Sequence, residues 1–137
     1  MKLPALQPLK TKLPDLAGKL PRIIVDTREQ TPLVFTRLAS EVSGLTTGDY
    51  SFSGGETYMA VERKSVADLV GCCTGVDRAR FERELHRLRG FKFKRLLVVG
   101  YAYEITEHQY RSRLDPEAVM GTLAAFEVRY EVPIVFA

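Results

Sequence analysis

Asp49, Glu62 and Lys64 are the residues whose types and spacing could do chemistry. Two runs rich in aromatic and β-branched residues, Gly48-Asp49-Tyr50-Ser51-Phe52 and Thr57-Tyr58-Met59-Ala60-Val61-Glu62-Arg63-Lys64, flank Ser53-Gly54-Gly55-Glu56. The runs favour strand, and the adjacent glycines supply the positive-φ positions of a tight reversal. With the turn centred there, Ser53 faces Glu56 and Asp49 pairs with Ala60. Alternation along the strands then places Asp49, Glu62 and Lys64 on one face. Two carboxylates and an amine suit phosphodiester hydrolysis, the acids holding a hard divalent cation and the ammonium orienting water or steadying developing negative charge. The same alternation also describes the solvated face of a half-exposed hairpin, and spacing alone favours that plainer reading.

These residues need elements to position them. Arg22-Ile-Ile-Val-Asp26 reads as a buried strand that delivers Asp26, Arg28 and Glu29 at its C-terminal end, where α/β proteins gather their sites. Thr31-Pro32 breaks the chain, and residues 33 to 47 read as an irregular connection. Ser65 and Asp68 have capping-box spacing, which opens a short helix to about Cys72 and gives Asp68 a structural role beside any catalytic one. Asp77 can cap a second helix to about Arg89, with Phe81, Leu85 and Leu88 on its apolar face. Arg78, Arg80, Arg83, Arg87 and Arg89 on this helix could follow a phosphate backbone, with Glu82 and Glu84 as i,i+4 partners of Arg78 and Arg80. Lys94 to Gly100 is a further buried strand. A short helix capped by Thr106 is expected within residues 101 to 114. Asp115-Pro116-Glu117 then opens a helix with cap, proline and first-turn acid, and Val132 to Phe136 forms a last strand. The order is that of an α/β fold, a mixed sheet with helices on its faces.

Composition bounds the whole. The 137 residues, 45% hydrophobic, suit one domain. Residues 1 to 20 carry four lysines against Asp15, which accounts for the entire net charge of +3 and leaves the remainder formally neutral. They read as a flexible basic tail ahead of a folded domain at 21–137. Cys72 and Cys73 have no second pair to give zinc spacing and read as small helix residues. No apolar run approaches a membrane span or a signal peptide, so a soluble, intracellular protein with no membrane partner is expected.

Taken together, Val-Asp26-Thr-Arg28-Glu29, Thr-Gly48-Asp49-Tyr50, Val-Glu62-Arg63-Lys64-Ser-Val-Ala-Asp68, an arginine-rich helix and the closing Arg-Tyr-Glu-Val-Pro-Ile-Val-Phe strongly resemble the XPF-type nuclease domain. That family's signature is Gly-Asp, a variable gap, then Glu-Arg-Lys-x-x-x-Asp, and each fixed position is met over a match of about residues 22 to 136. The resemblance implies a restriction-endonuclease-like fold of the PD-(D/E)xK superfamily. It also implies cleavage, dependent on Mg2+ or Mn2+, of branched, flapped or fork-like DNA with single-strand/double-strand junctions. It makes Asp49 and Glu62 metal ligands with the Arg63 carbonyl as a further one, and sets Asp26 beside the metal. Lys64 would position the nucleophilic water, and Asp68 would support Arg63. Arg28 and Arg63 would brace carboxylates or meet the scissile phosphate, with Arg78 and Arg80 as further DNA contacts. A homodimer or heterodimer is open to it, and so is a catalytically silent DNA-binding or partner-docking module of the same fold. One departure stands out: the family often carries Arg-x-x-x-Gln in the helix after the motif, where Arg80 is followed here by Glu84.

Overall fold

The computed structural model describes residues 20–137, and the expected tail, Leu20 apart, lies outside them. Its six strands form one sheet in the order β2-β1-β3-β4-β5-β6, with β1 at Ile23–Val25, β2 at Ser40–Val42, β3 at Tyr50–Phe52, β4 at Met59–Ser65, β5 at Phe93–Val99 and β6 at Ile134–Phe136. Antiparallel pairs join β3 to β1 and to β4, while β1–β2, β4–β5 and β5–β6 run parallel. The expected mixed sheet is therefore present, with its hairpin at the centre. One strand went unread: β2 is a three-residue edge inside the stretch expected to be irregular. Its residues Ser40-Glu41-Val42 are largely exposed, so no buried apolar pattern marks it.

Four helices, α1 (Val66–Gly71), α2 (Gly75–Arg89), α3 (Ala102–Thr106) and α4 (Pro116–Tyr130), complete the order. Ser65 caps α1 by accepting the Asp68 N–H, and Asp115 caps α4 ahead of Pro116, as their sequences require. Two starts were displaced. Helix α2 begins two residues before Asp77, with Thr74 at its N-cap, so Asp77 sits in the first turn. Thr106 ends α3 rather than opening a helix. Burial explains why the helices hold: Phe81, Leu85 and Leu88 of α2 and Val119, Leu123 and Phe126 of α4 are packed with Ala60, Leu96 and Val98 of the sheet. Each such large side chain contributes roughly 1.5–3 kcal/mol by leaving water. Phe81 and Phe126 meet edge to face at 5.7 Å between centroids. No helix among the described residues is long and apolar enough to cross a membrane.

The hairpin departs from its expected register by two residues: Tyr50 pairs with Val61. Gly54 has the expected positive φ, but Gly55 serves differently, since a Cβ there would lie 2.1 Å from the Phe52 ring. A longer turn follows, with Tyr58 and Met59 donating to the Gly55 carbonyl. A shift of two preserves parity, so the faces assigned to Asp49, Glu62 and Lys64 survive.

Gly48 sets the approach of Asp49 to the hairpin. Its φ is +80°, and an added Cβ would come 3.1 Å from the Val61 carbonyl oxygen and 3.3 Å from the Ala60 Cβ. Gly48→Ala is therefore expected to destabilise the domain by about 1–3 kcal/mol in urea unfolding. Gly44→Ala, whose Cβ meets nothing within 4 Å, should stay within about 0.5 kcal/mol of the parent.

Candidate active site

Asp49 stands at the end of the β3–β4 ladder. Its N–H donates to the Val61 carbonyl at 2.8 Å, its carbonyl accepts the Asp26 N–H at 2.8 Å, and its Oδ2 accepts the Arg63 N–H at 2.8 Å. A side-chain oxygen thus replaces the missing strand partner of β4. The N–H and C=O of one strand residue point to the same edge. The Arg63 carbonyl consequently faces the edge that Asp49 occupies, away from β5.

Around this ladder end, Asp26, Asp49, Glu62 and Glu84 line a cleft of about 220 Å³ together with Arg28, Arg87 and the Thr46-Thr47-Gly48 turn. Glu62 lies against Asp49, and burial pushes its carboxyl up to about 8, with the charges of Asp49 and Glu84 acting in the same direction. Burial likewise raises Asp49, with Glu29 and Asp26 adding to it, against the pull of the Arg63 N–H. Two acids that resist ionisation together are a site short of positive charge. Lys64 answers part of it. Its Nζ lies 3.8 Å from Glu62 Oε1 and 3.8 Å from Glu84 Oε2, and 5.3 Å from the centroid of Phe81. Burial alone would lower its pKa, but Glu84 and Glu62 outweigh that and raise it, so the amine is held as ammonium.

Asp26 is brought to the cleft with its oxygens already engaged. Oδ1 accepts the Leu45 N–H at 2.8 Å, and Oδ2 accepts Arg28 Nε at 2.8 Å and, more weakly, the Arg28 N–H at 3.3 Å. Burial would raise its carboxyl, yet these bonds hold it below the usual carboxylate value. Arg28 also donates to the Leu45 carbonyl, while its side chain stays 72% exposed at the cleft mouth. The Asp26–Arg28 pair ties the 45–48 turn to the end of β1.

Arg63 points to the opposite sheet face. Its guanidinium makes two bonds to Glu29, at 2.9 and 3.0 Å, and a further one to Thr31. Glu29 is also bonded by the Tyr50 hydroxyl, which in turn accepts the Leu33 N–H. The expected support of Arg63 by Asp68 is corrected here: the partner is Glu29, because successive strand residues face opposite sides and α1 lies on the Lys64 side. Asp68 lines a neighbouring cleft of about 290 Å³ with Lys64, Arg80 and Glu84.

The arginines of α2 also divide. Arg78 is turned inward, donating to the Cys73 carbonyl at 3.2 Å, pairing with Glu82 at 3.6 Å and lying over Phe126, so it is engaged in packing rather than at the cleft. Arg80 pairs with Asp77 at 3.8 Å instead of the expected Glu84. Arg87 reaches the main cleft. Glu84, read only as a helix-surface partner, is the site residue that sequence reasoning missed. Its one signal was the departure from Arg-x-x-x-Gln. Among the described residues, no group of three His, Cys, Asp or Glu side chains is gathered closely enough to hold a metal ion on side chains alone.

The family model described as the ERCC4 domain matches residues 25–137. The chain belongs to the ERCC4 domain family. In fold it is similar to XPF from Aeropyrum pernix, with a TM-score of 0.62 at 21% identity over 85% of this chain, and to the same protein in complex with DNA, with 0.65 at 22% over 86%. The chain spans 56% of the length of those solved chains. No curated protein matches. Membership of the ERCC4 family and the XPF nuclease fold are thus shown for the arrangement described.

The Arg63–Glu29 pair gives a test of how the ERCC4 fold locks its loop to β4. Glu29 is held below its usual 4.5 chiefly by Arg63, against burial. A lowered carboxylate stabilises the fold fully above its unfolded value and loses that contribution as pH falls through the folded value. Glu29→Gln should therefore cost about 2 kcal/mol at pH 7, and the gap between variant and parent should narrow as pH falls below 4.5 and through the lowered folded value. Urea unfolding at pH 7 and at a series of acid pH values checks it. A gap that is unchanged in acid would show that the charge is irrelevant.

Proposed function

We propose that this ERCC4 domain is a divalent-metal-dependent DNA endonuclease that hydrolyses phosphodiester bonds, with branched, flapped or fork-like DNA as its substrate class. One observation carries the reading: Asp49 and Glu62 converge at a ladder end where burial raises both, and the ammonium nearby, Lys64, is shared at 3.8 Å with Glu84 Oε2. Such an arrangement costs energy unless a cation neutralises it. The DNA complex of the fold relative gives nucleic acid as the partner to test.

The donors fit a hard cation. Asp49, Glu62 and the outward Arg63 carbonyl are oxygen donors of the kind Mg2+ and Mn2+ take, while Asp26, whose oxygens are committed to Leu45 and Arg28, serves better as a brace than as a direct ligand. When bound there, such an ion supplies Lewis-acid polarisation of a phosphate oxygen and a more acidic water. The chain's own groups do the rest. The Lys64 ammonium, held protonated on the same strand face as Glu62, donates to the attacking water or to the phosphate as charge builds. Arg28, anchored by Asp26 and exposed at the mouth, presents a guanidinium to the incoming phosphate, and Arg87 adds a second cation to the cleft. Arg63 holds β4 against the 29–31 loop and acts through position, not through contact with DNA.

Asp49→Asn and Glu62→Gln should each lower cleavage of a labelled flap by at least about 100-fold in Mg2+ or Mn2+, and weaken Mn2+ binding in calorimetry. Lys64→Ala should bind the flap with near-parental affinity and cut it about 100-fold more slowly at saturation, because its contribution is realised in the transition state. A lysine that only pairs with phosphate would instead weaken binding and reduce the salt slope by about one unit. Absence of cleavage by the parent on flap, fork, duplex and single-stranded DNA, with binding retained, would establish the silent module instead.

A further inference from the structure

Glu84 comes from α2, a different element from the Gly-Asp and Glu-Arg-Lys strands, yet it reaches Lys64 as closely as Glu62 does, at 3.8 Å. Its Oε2 is buried and has no hydrogen-bond partner, and the carboxylate lines both the main cleft and the neighbouring one that holds Lys64. Phe81, one turn earlier on the same helix, lies beneath the ammonium at 5.3 Å. Helix α2 therefore supplies a floor and a second anchor for the lysine. Packing fixes its rotation about its axis: Phe81, Leu85 and Leu88 are each at most 1% exposed. The anchor is thus preset by the core.

We propose that Glu84 is a positioning residue for Lys64, holding the ammonium in place while Glu62 turns its charge to another cation. This rests on the nuclease reading above and adds to it a role for α2. With Glu62 as the lysine's only acid, an ion drawn to Glu62 would leave a flexible four-carbon side chain free to swing away or to follow its carboxylate. With Glu84 present, the ammonium keeps one fixed partner that takes no part in the Asp49–Glu62 pair. Glutamine at this position would keep the shape and remove the charge that attracts Lys64.

A mutant cycle tests the assignment. Glu84→Gln should lower single-turnover cleavage of a saturating flap by about tenfold, with DNA affinity kept within about twofold. In a Lys64→Ala background the same substitution should change the residual rate less than about twofold, since there is no ammonium left to place. Glu84→Asp, which keeps the charge on a shorter stem, should recover part of the loss. Unaltered cleavage by Glu84→Gln, or an equal loss with and without Lys64, overturns the proposal. A second readout needs no nuclease activity: thermal unfolding without metal, for Glu84→Gln in the parent and in Lys64→Met. Glu84→Gln should lower the midpoint by at least about 3 °C more in the parent than in Lys64→Met, where it only relieves repulsion from Glu62. Equal shifts would refute the Lys64–Glu84 coupling, whereas coupled shifts in a protein that cuts no DNA would sink the nuclease reading and keep the contact.

Discussion

The site depends on a balance between Asp49, Glu62 and Glu84, the three acids without a tight cation of their own, and the ammonium of Lys64, in a place that water only partly reaches. Glu62 is 13% exposed and Lys64 20%, so their charges are screened far less than surface charges would be. Lys64 can serve only one geometry at a time, and its distances of 3.8 Å to both Glu62 and Glu84 are those of a shared cation rather than of a tight pair. Burial, with the charges of Asp49 and Glu84, raises Glu62 to about 8, and the shared ammonium offsets only part of that. A protein whose only task was to be stable would gain by replacing such a cluster with apolar side chains of similar volume. Retaining it places a demand for positive charge at one point on the surface.

The sheet makes that point possible. Were β3 as long as β4, backbone partners would continue past Val61, and Arg63 would spend its N–H and C=O on a neighbour. Because β3 stops at Tyr50 and Gly48 bends the chain away, the Asp49 side chain caps the ladder instead. The antiparallel hairpin brings Asp49 beside Glu62, while parallel pairing of β4 with β5 buries the other edge and keeps the strand rigid over Met59–Ser65. On the far face, Arg63 clasps Glu29, so the loop after β1 is locked to the strand that carries the charged pair. Asp26 and Arg28 fasten the 45–48 turn to the same loop. Arg63, Glu29, Asp26 and Arg28 thus hold the segments that carry the cluster.

Much of this was legible in the residues. Period-two alternation survives a register shift of two, which is why Asp49, Glu62 and Lys64 were assigned to one face although the turn was drawn too short. The caps at Ser65 and Asp115 are local chemistry and were read from local sequence. Glu29 as the partner of Arg63 was not legible, since the contact joins residues 34 apart across the sheet and either Asp68 or Glu29 satisfies charge alone. Glu84 was hidden for a related reason. Helix α2 carries acids and arginines on several faces, and which of them meets the sheet is set by how Phe81, Leu85 and Leu88 seat in the core. Arg78 turned inward by the same rotation, over Phe126.

The distribution of charge decides how a polyanion could approach such a site. Beyond residue 20 the chain is formally neutral, with sixteen cationic and sixteen acidic residues, being 20 − 4 and 17 − 1. A neutral domain exerts no general pull on a phosphate backbone. Attraction must therefore be local, and it opposes the four carboxylates of the cleft at short range. Arg28 is suited to this conflict because Asp26 fixes its Nε while the side chain remains 72% exposed, so its position is set before any phosphate arrives. Arg87, on α2, lines the same cleft. A polyanion that neared Asp49 and Glu62 would meet these two guanidiniums together with carboxylates that repel it, so its approach is favourable only as far as local positive charge offsets those acids.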